Sequence, residues 1–166
     1  MEEGSAKKKK KAVTIVVFSG EMDKAIAAFV IATSAASMGM EVNLFFTFWG
    51  LNVIRKKGGL LKGRNWMQKM LSIMNYGHAR RLATSKLNML GAGPAMFKAM
   101  MARSKVPTLP EFIEMAHAMG VKLYPCEMSM TVMGLSPEDF IDQCQEVIGA
   151  VSYLDKAACS DVNLFI

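Results

Sequence analysis

The sequence predicts an α/β fold: a three-layer α/β/α sandwich on about five mostly parallel strands. Three observations carry that expectation. Short β-branched runs alternate with alanine-rich or amphipathic stretches from Val13 to the C-terminus. The first of those, Val13 to Phe18, is a continuous β-branched run, suited to a strand buried on both faces. A chain of 166 residues suits one domain with a full core and is too short for two comfortable ones.

The elements follow in order. Val13 to Phe18 reads as the first strand, and Ser19-Gly20-Glu21-Met22-Asp23-Lys24 as a turn that feeds a helix, with two acids in its first turn. That helix covers Met22 to Met38 and Gly39 closes it. A second strand, Glu41 to Phe48, ends at Trp49-Gly50 and completes a right-handed βαβ unit. Lys56 to Gly63 is a glycine- and charge-rich loop. Trp66 to Tyr76 carries a helical apolar stripe, Met89 to Pro94 breaks the chain, and Ala95 to Ala102 is a further short helix ended at Val106-Pro107. Thr108-Leu109-Pro110-Glu111 has the spacing of a capping box and opens a helix that runs to Met119. Val121 to Pro125 is the next strand, and Glu127 to Gly134 gives one or two helical turns. Ser136-Pro137-Glu138-Asp139 repeats the start signal for a helix through Gln145. Glu146 to Ile148 is expected as a strand, Ala150 to Ala158 as a helix and Val162 to Ile166 as the last strand.

Composition narrows the function classes. Half of the residues are apolar (52%), which excludes disorder for most of the length. Three cysteines, Cys126, Cys144 and Cys159, have no paired short spacing, which argues against a disulfide framework, a zinc knuckle or a CxxC redox pair and fits a reducing cytoplasm. The two histidines, His78 and His117, do not make a metal site and read as surface or packing residues. Residues 1–11, with lysines 7 to 11, form a basic, solvated lead before a single domain at 12–166, and no apolar stretch reaches the length of a membrane span. The net charge of +6 is unevenly spread: Val42 to Pro110 holds no acid, whereas Glu111 to Ile166 holds nine acids against two bases. This asymmetry points to a homo-oligomer with complementary faces, built partly from residues 60–105, in preference to a nucleic-acid partner.

The chemistry converges on one residue. The first βα turn lacks both GxGxxG and GxxxxGK[ST], and no GxSxG elbow exists, so nucleotide binding and α/β-hydrolase chemistry have no foundation here. Cys126 stands at a strand-to-helix junction, where free N–H groups and the helix dipole favour a thiolate below the ordinary pKa of about 8.5. Its other reading is a small buried hydrophobe, and position alone leaves both open. Candidate neighbours are Ser19, Gly20 and Lys24 from the first turn, Trp49 from the second, and Glu127, Met128 and Ser129 after the cysteine. Glu127 opposes a thiolate or accepts its proton. Cys144 and Cys159 read as structural.

Several segments resemble the DsrE/DsrF/DsrH-like sulfurtransferases, in their longer single-chain branch that is sometimes labelled peroxiredoxin-like. They are SGEMDKAIAAFVIATSAASMGMEV, NMLGAGPAMFKAMM, PTLPEFIEMAHAMGVKLYPCEMSMTVMGLSPEDFID and EVIGAVSYLDKAACSDVNLFI. The peroxiredoxin label finds no Thr-x-x-Cys motif here. The resemblance implies a DsrEFH-like fold and a sulfur-carrying cysteine at Cys126, which accepts sulfane sulfur as a persulfide and relays it to an acceptor thiol. It also implies oligomers and rhodanese-like or TusA-like partners. No cofactor is required, because sulfur exchange needs only an accessible thiolate and a good leaving thiol. The competing reading is a non-enzymatic binding or regulatory subunit that docks a partner through the Met-rich basic insertion at about 56–105. Twelve of sixteen methionines lie between Met67 and Met133, so that insertion is expected as a mobile cover for Cys126 or as a fixed hairpin between subunits.

Overall fold

The computed structural model of the chain describes residues 11–57, 66–74, 78–80, 82–86 and 92–166. The lysine lead before Lys11 and the loop glycines Gly58, Gly59, Gly63 and Gly91 lie outside the described residues. Four strands, β1 (Ala12–Val17), β2 (Glu41–Phe46), β3 (Lys122–Pro125) and β4 (Val162–Phe165), form one parallel sheet in the order β3-β2-β1-β4. Six helices accompany them: α1 (Met22–Ser37), α2 (Trp66–Met74), α3 (Ala92–Arg103), α4 (Leu109–Ala118), α5 (Glu127–Met133) and α6 (Ala150–Ala158).

The two faces of the sheet differ in chemistry. Strand alternation sends Val13, Ile15, Val17, Val42, Leu44, Phe46 and Leu123 to one face, where α1 and α4 cover them. Ala25, Ala28, Ala32 and Ala35 on α1 are buried, and their small side chains let the helix lie close to the sheet while Phe29 fills the gap beside Phe46, ring centroids 6.3 Å apart. On the other face the register builds one apolar row, Phe165-Val16-Phe45-Tyr124, and one polar row, Asn163-Thr14-Asn43-Lys122. Among the described helices, α6 lies over that second face. It touches the sheet through Tyr153, stacked on Phe45 at 4.7 Å, and Lys156, 4.8 Å above the Tyr124 ring. Burial pushes the Tyr153 hydroxyl above its ordinary pKa despite a hydrogen bond with Thr14.

Local signals hold in several places. Gly39, Gly120 and Gly134 adopt φ of 77°, 79° and 67° at the ends of α1, α4 and α5. The capping box before α4 is formed: the Thr108 amide and hydroxyl donate to Glu111 Oε2 at 2.6 and 2.8 Å, and these bonds hold the Glu111 carboxyl below its ordinary pKa. Three expectations fail. The start signal at Ser136 yields a single 3₁₀ turn, Pro137–Asp139, and no helix to Gln145. Phe140 is pulled into the core instead, and the backbone bonds to the segment after β2, Lys56 N–H to the Asp139 carbonyl and Ile141 N–H to that of Ile54. Glu146 to Ile148 is not a strand, although isolated parallel bridges form at Cys144, just before it, and at Ile148. The second strand ends at Phe46, and Phe48–Val53 forms a 3₁₀ helix.

The turns at the carboxyl ends of β1 and β2 are pressed together. The Gly50 N–H donates to the Phe18 carbonyl at 2.8 Å, and a Cβ on Gly50 would lie 1.9 Å from the Val17 carbonyl oxygen. That oxygen accepts the Thr47 N–H at 3.1 Å and has no room to retreat. Gly50→Ala is expected to destabilise the fold by about 3 kcal/mol, read as a lower urea midpoint at unchanged slope. Gly39→Ala, with nothing within 4 Å of its Cβ but a φ of 77°, is expected to cost only about 1 kcal/mol.

Candidate functional site

β3 delivers Cys126 to the edge of the sheet where all four strands end. The Cys126 N–H donates to the Phe46 carbonyl at 2.9 Å, which carries the β2–β3 ladder one residue past the strand, and its carbonyl accepts the Met130 N–H at 3.0 Å as the first turn of α5. Cys126 is thereby the N-cap of α5, with extended backbone (φ −80°, ψ 119°). Ser129, one turn into that helix, is wholly buried and shares a 2.8 Å hydrogen bond with the Thr47 hydroxyl. This bond ties α5 to the turn after β2.

The expected neighbours divide into two groups. Glu127, Met128 and Ser129 follow Cys126 on α5, with Glu127 and Met128 exposed, and Trp49 belongs to the turn that Thr47 anchors to Ser129. Gly20 abuts that same turn, since a Cβ there would come 2.6 Å from the Trp49 carbonyl oxygen. Ser19 is occupied by Glu21, receiving its N–H at 3.2 Å and donating to its carboxylate at 3.0 Å. Lys24 is exposed and pairs with Glu21 at 2.5 Å, a hydrogen bond that raises its pKa. Its ammonium is committed to the first turn of α1.

Cys126 is only 2% exposed. It packs with Val16, Phe45, Tyr124 and Ile148 on the second face of the sheet. Ile148 reaches it from a strip laid along the outer edge of β3, where Leu123 pairs with Cys144 and Cys126 with Ile148. The strip spends four residues where β3 spends three, so it carries one extra residue, the signature of a bulge. The Glu127 N–H donates to the Ile148 carbonyl at 3.0 Å and the Ile148 N–H to that of Pro125 at 3.1 Å. Ile148 is not visible as a site residue in the sequence, because only the pairing of this strip with β3 brings it to Cys126, while Thr47 stands in the turn expected at this edge and reaches Ser129. The crevice where the strand order reverses, between β1 and β4, lies two strands away, and there Phe18 is stacked 5.8 Å from Phe165 and tilted against Phe48 at 5.6 Å. Of the expected 56–105 cover, Gln68 on α2 donates to the Thr131 carbonyl at 3.1 Å, at the far end of α5 from Cys126.

Among the described residues no three His, Cys, Asp or Glu side chains converge as metal ligands. His117 is exposed on α4. The other two thiols differ sharply from each other. Cys144 is part-buried, and desolvation pushes its pKa up to about 12, whereas Cys159 is exposed at the end of α6. At pH 8, alkylation by iodoacetamide is expected to mark Cys159 quickly and to spare Cys144 until the chain is unfolded, a contrast that peptide mass mapping reads directly. Because the Cys144 proton leaves more easily from the unfolded chain, its contribution to stability is expected to fall as pH rises from about 8.5 toward 12. A titration of the urea midpoint in wild type and Cys144→Ala checks that sign.

Comparison with known proteins agrees with this architecture. Residues 9–165 match the sequence profile of the DsrE/DsrF/DrsH-like family. The uncharacterized protein YrkE of Bacillus subtilis (strain 168) is 42% identical over 156 residues, which span 94% of this chain and 97% of that protein. The sulfur carrier protein DsrE2 of Allochromatium vinosum is 31% identical over 159 residues, spanning 94% of this chain and 98% of that one. The crystal structure of the ychN protein from E. coli superposes with a TM-score of 0.54 at 12% identity, covering 94% of this chain and 99% of the other, a likeness of fold alone. With a profile that runs from before β1 to the end of β4, the chain belongs to the DsrE/DsrF/DrsH-like family.

Proposed function

We propose that this protein is a sulfur carrier that holds sulfane sulfur on Cys126. One observation carries the reading: a chain 31% identical to a sulfur carrier along its whole length places its cysteine at the mouth of the sheet, on the N-cap of α5. Family membership alone supports a role in sulfur relay. In the proposed cycle the Cys126 thiolate attacks the outer sulfur of a donor persulfide. The donor S–S bond breaks, the donor leaves as a thiolate, and Cys126 becomes Cys–S–SH. An acceptor thiolate then attacks that outer sulfur and releases Cys126 as thiolate again. Sulfur moves at constant overall oxidation state, so neither oxidant nor reductant enters. Rhodanese-like or TusA-like proteins in the cytoplasm are the proposed donors and acceptors.

A specific observation favours the second reading, a binding or regulatory subunit in which Cys126 only packs: that thiol is 2% exposed. Mass spectrometry separates the two. After incubation with a sulfane donor, the protein is expected to gain one or more sulfur atoms, to lose that gain in Cys126→Ser, and to keep it in Cys144→Ser and Cys159→Ser. No gain in the wild type, or a gain that survives Cys126→Ser, leaves the subunit reading standing.

We also propose a homo-oligomer. Trp66, Met67 and Met70 on α2 and Met96 and Met100 on α3 are exposed, a concentration of apolar surface that supports an interface within 60–105. Light scattering at micromolar concentration and moderate salt is expected to give a mass above the monomer's 18.2 kDa, and a clean monomer refutes the assembly.

A further inference from the structure

The groove beneath α6 has a character opposite to that of the chain as a whole. It encloses about 790 Å³ along the second face of the sheet, from Ala12 and Glu41 at the start of β1 and β2 to Glu127 and Gly149 beside Cys126. Glu127, Glu146 and Asp155 line it, and none of the three has an ion-pair partner among the described residues. Glu41 stands at its rim, bonded to Lys122 at 2.8 Å. The lining holds one ammonium, that of Lys156, and it sits over the Tyr124 ring. Glu127, Glu146 and Asp155 all come from the acid-rich segment Glu111 to Ile166, and the groove gathers them on one face.

The floor of the groove gives an independent sign of a ligand. Asn43, in the middle of the polar row, is 5% exposed, and its Oδ1 has no hydrogen-bond partner among the described residues. Its neighbours across the sheet do not meet that need: Thr14 donates its hydroxyl to Asn163, and Lys122 gives its ammonium to Glu41. Buried polar atoms are ordinarily satisfied, so an acceptor left open on the floor of a groove marks where a donor belongs. The carboxylates around it call for a donor that is also a cation. Ammonium and guanidinium groups have that chemistry, and a groove that runs the length of the strands suits several of them on an extended chain.

We propose that this groove docks a basic segment, an extended stretch with two or more lysine or arginine side chains, of the protein that exchanges sulfur with Cys126. The identity of that partner rests on the sulfur-relay reading; the chemistry of the groove does not. Glu127 connects the two places. Its side chain lines the groove, with Oε2 3.7 Å from where a Gly149 Cβ would stand, while its N–H bonds to the carbonyl of Ile148, the residue packed on Cys126. A segment seated between Glu146, Asp155 and Glu127 therefore ends against Ile148, which lines the groove and packs on Cys126, so a cysteine carried by that segment is held next to the residue that screens the thiol.

The test separates the groove from the chemistry. Binding is measured first, by fluorescence anisotropy of a labelled Lys-Ala-Lys-Ala-Lys peptide on the full chain carrying Cys126→Ser, where no sulfur exchange takes place. Saturable binding is expected, weakened about tenfold by Glu146→Gln with Asp155→Asn and lost progressively as salt rises. Both residues are exposed, so those variants fold. Failure of the peptide to bind, or binding indifferent to the double variant, overturns the proposal. So does spermidine that binds as tightly as the peptide and displaces it, because the site then belongs to a small polyamine. Transfer is measured second, on wild type loaded with sulfur. A basic peptide with one added cysteine is expected to accept sulfur about tenfold faster than a neutral peptide with the same thiol, and equal rates overturn the docking role. If Cys126 takes up no sulfur at all, the relay reading fails, and with it the partner assigned here, while the anisotropy result still decides whether the groove binds a basic segment.

Discussion

The hydrogen bond from the Cys126 amide to the Phe46 carbonyl sets the geometry of everything around the thiol. It extends the parallel ladder beyond the last residue of β3, so Cys126 starts α5 while still held in the sheet. Because the ladder fixes its φ and ψ, the direction of α5 is fixed as well, and Ser129 falls opposite Thr47, the residue that follows Phe46. Thr47 is in turn pinned by the Val17 carbonyl, which leaves space for no side chain at Gly50. One peptide contact thus links β1, β2, β3 and α5, and any shift of β2 relative to β1 is transmitted to the cysteine through backbone alone.

Much of this was legible in the chain. The βαβ start, the capping box at Thr108 and the positive-φ glycines are local devices whose causes lie within a few residues, and each appears where its sequence places it. The junction at Cys126 was legible for the same reason: a proline ends the strand, and a helix-length run follows up to Gly134. Ser136 to Ile148 was misread because its local signal is sound but loses to tertiary structure. The box is present, with the Ser136 amide and hydroxyl donating to Asp139 at 2.9 and 3.2 Å, yet burial of Phe140 and bonding to Ile54 and Lys56 halt the helix after one turn. That Ile148 screens Cys126 was not legible, since it does so only because β3 is an edge strand with this strip laid along it.

The two faces of the sheet assign separate duties. The α1–α4 face is closely packed around Phe29 and Phe46 and has one partly buried neighbour shell, as a stabilising core requires. The α6 face contains a smaller apolar cluster confined to the end nearest Cys126, and below it a polar row with an unsatisfied amide oxygen. Buried polar atoms beneath a single nine-residue helix make that face the costlier one to fold. The packed core and the buried cysteine thereby lie on opposite sides of the same four strands.

The bulged strip from Cys144 to Ile148 also limits the size of the molecule. A parallel sheet with a bare edge invites another strand, whether from the same chain or from a neighbour, and a flush fifth strand would only move the bare edge outward. Here the extra residue prevents the strip from running in step with β3, so beyond it no regular row of amides and carbonyls is offered. The same few residues that screen the thiol therefore act as a stop against runaway strand addition at that edge, and a protein crowded with other copies of itself keeps its sheet finite there.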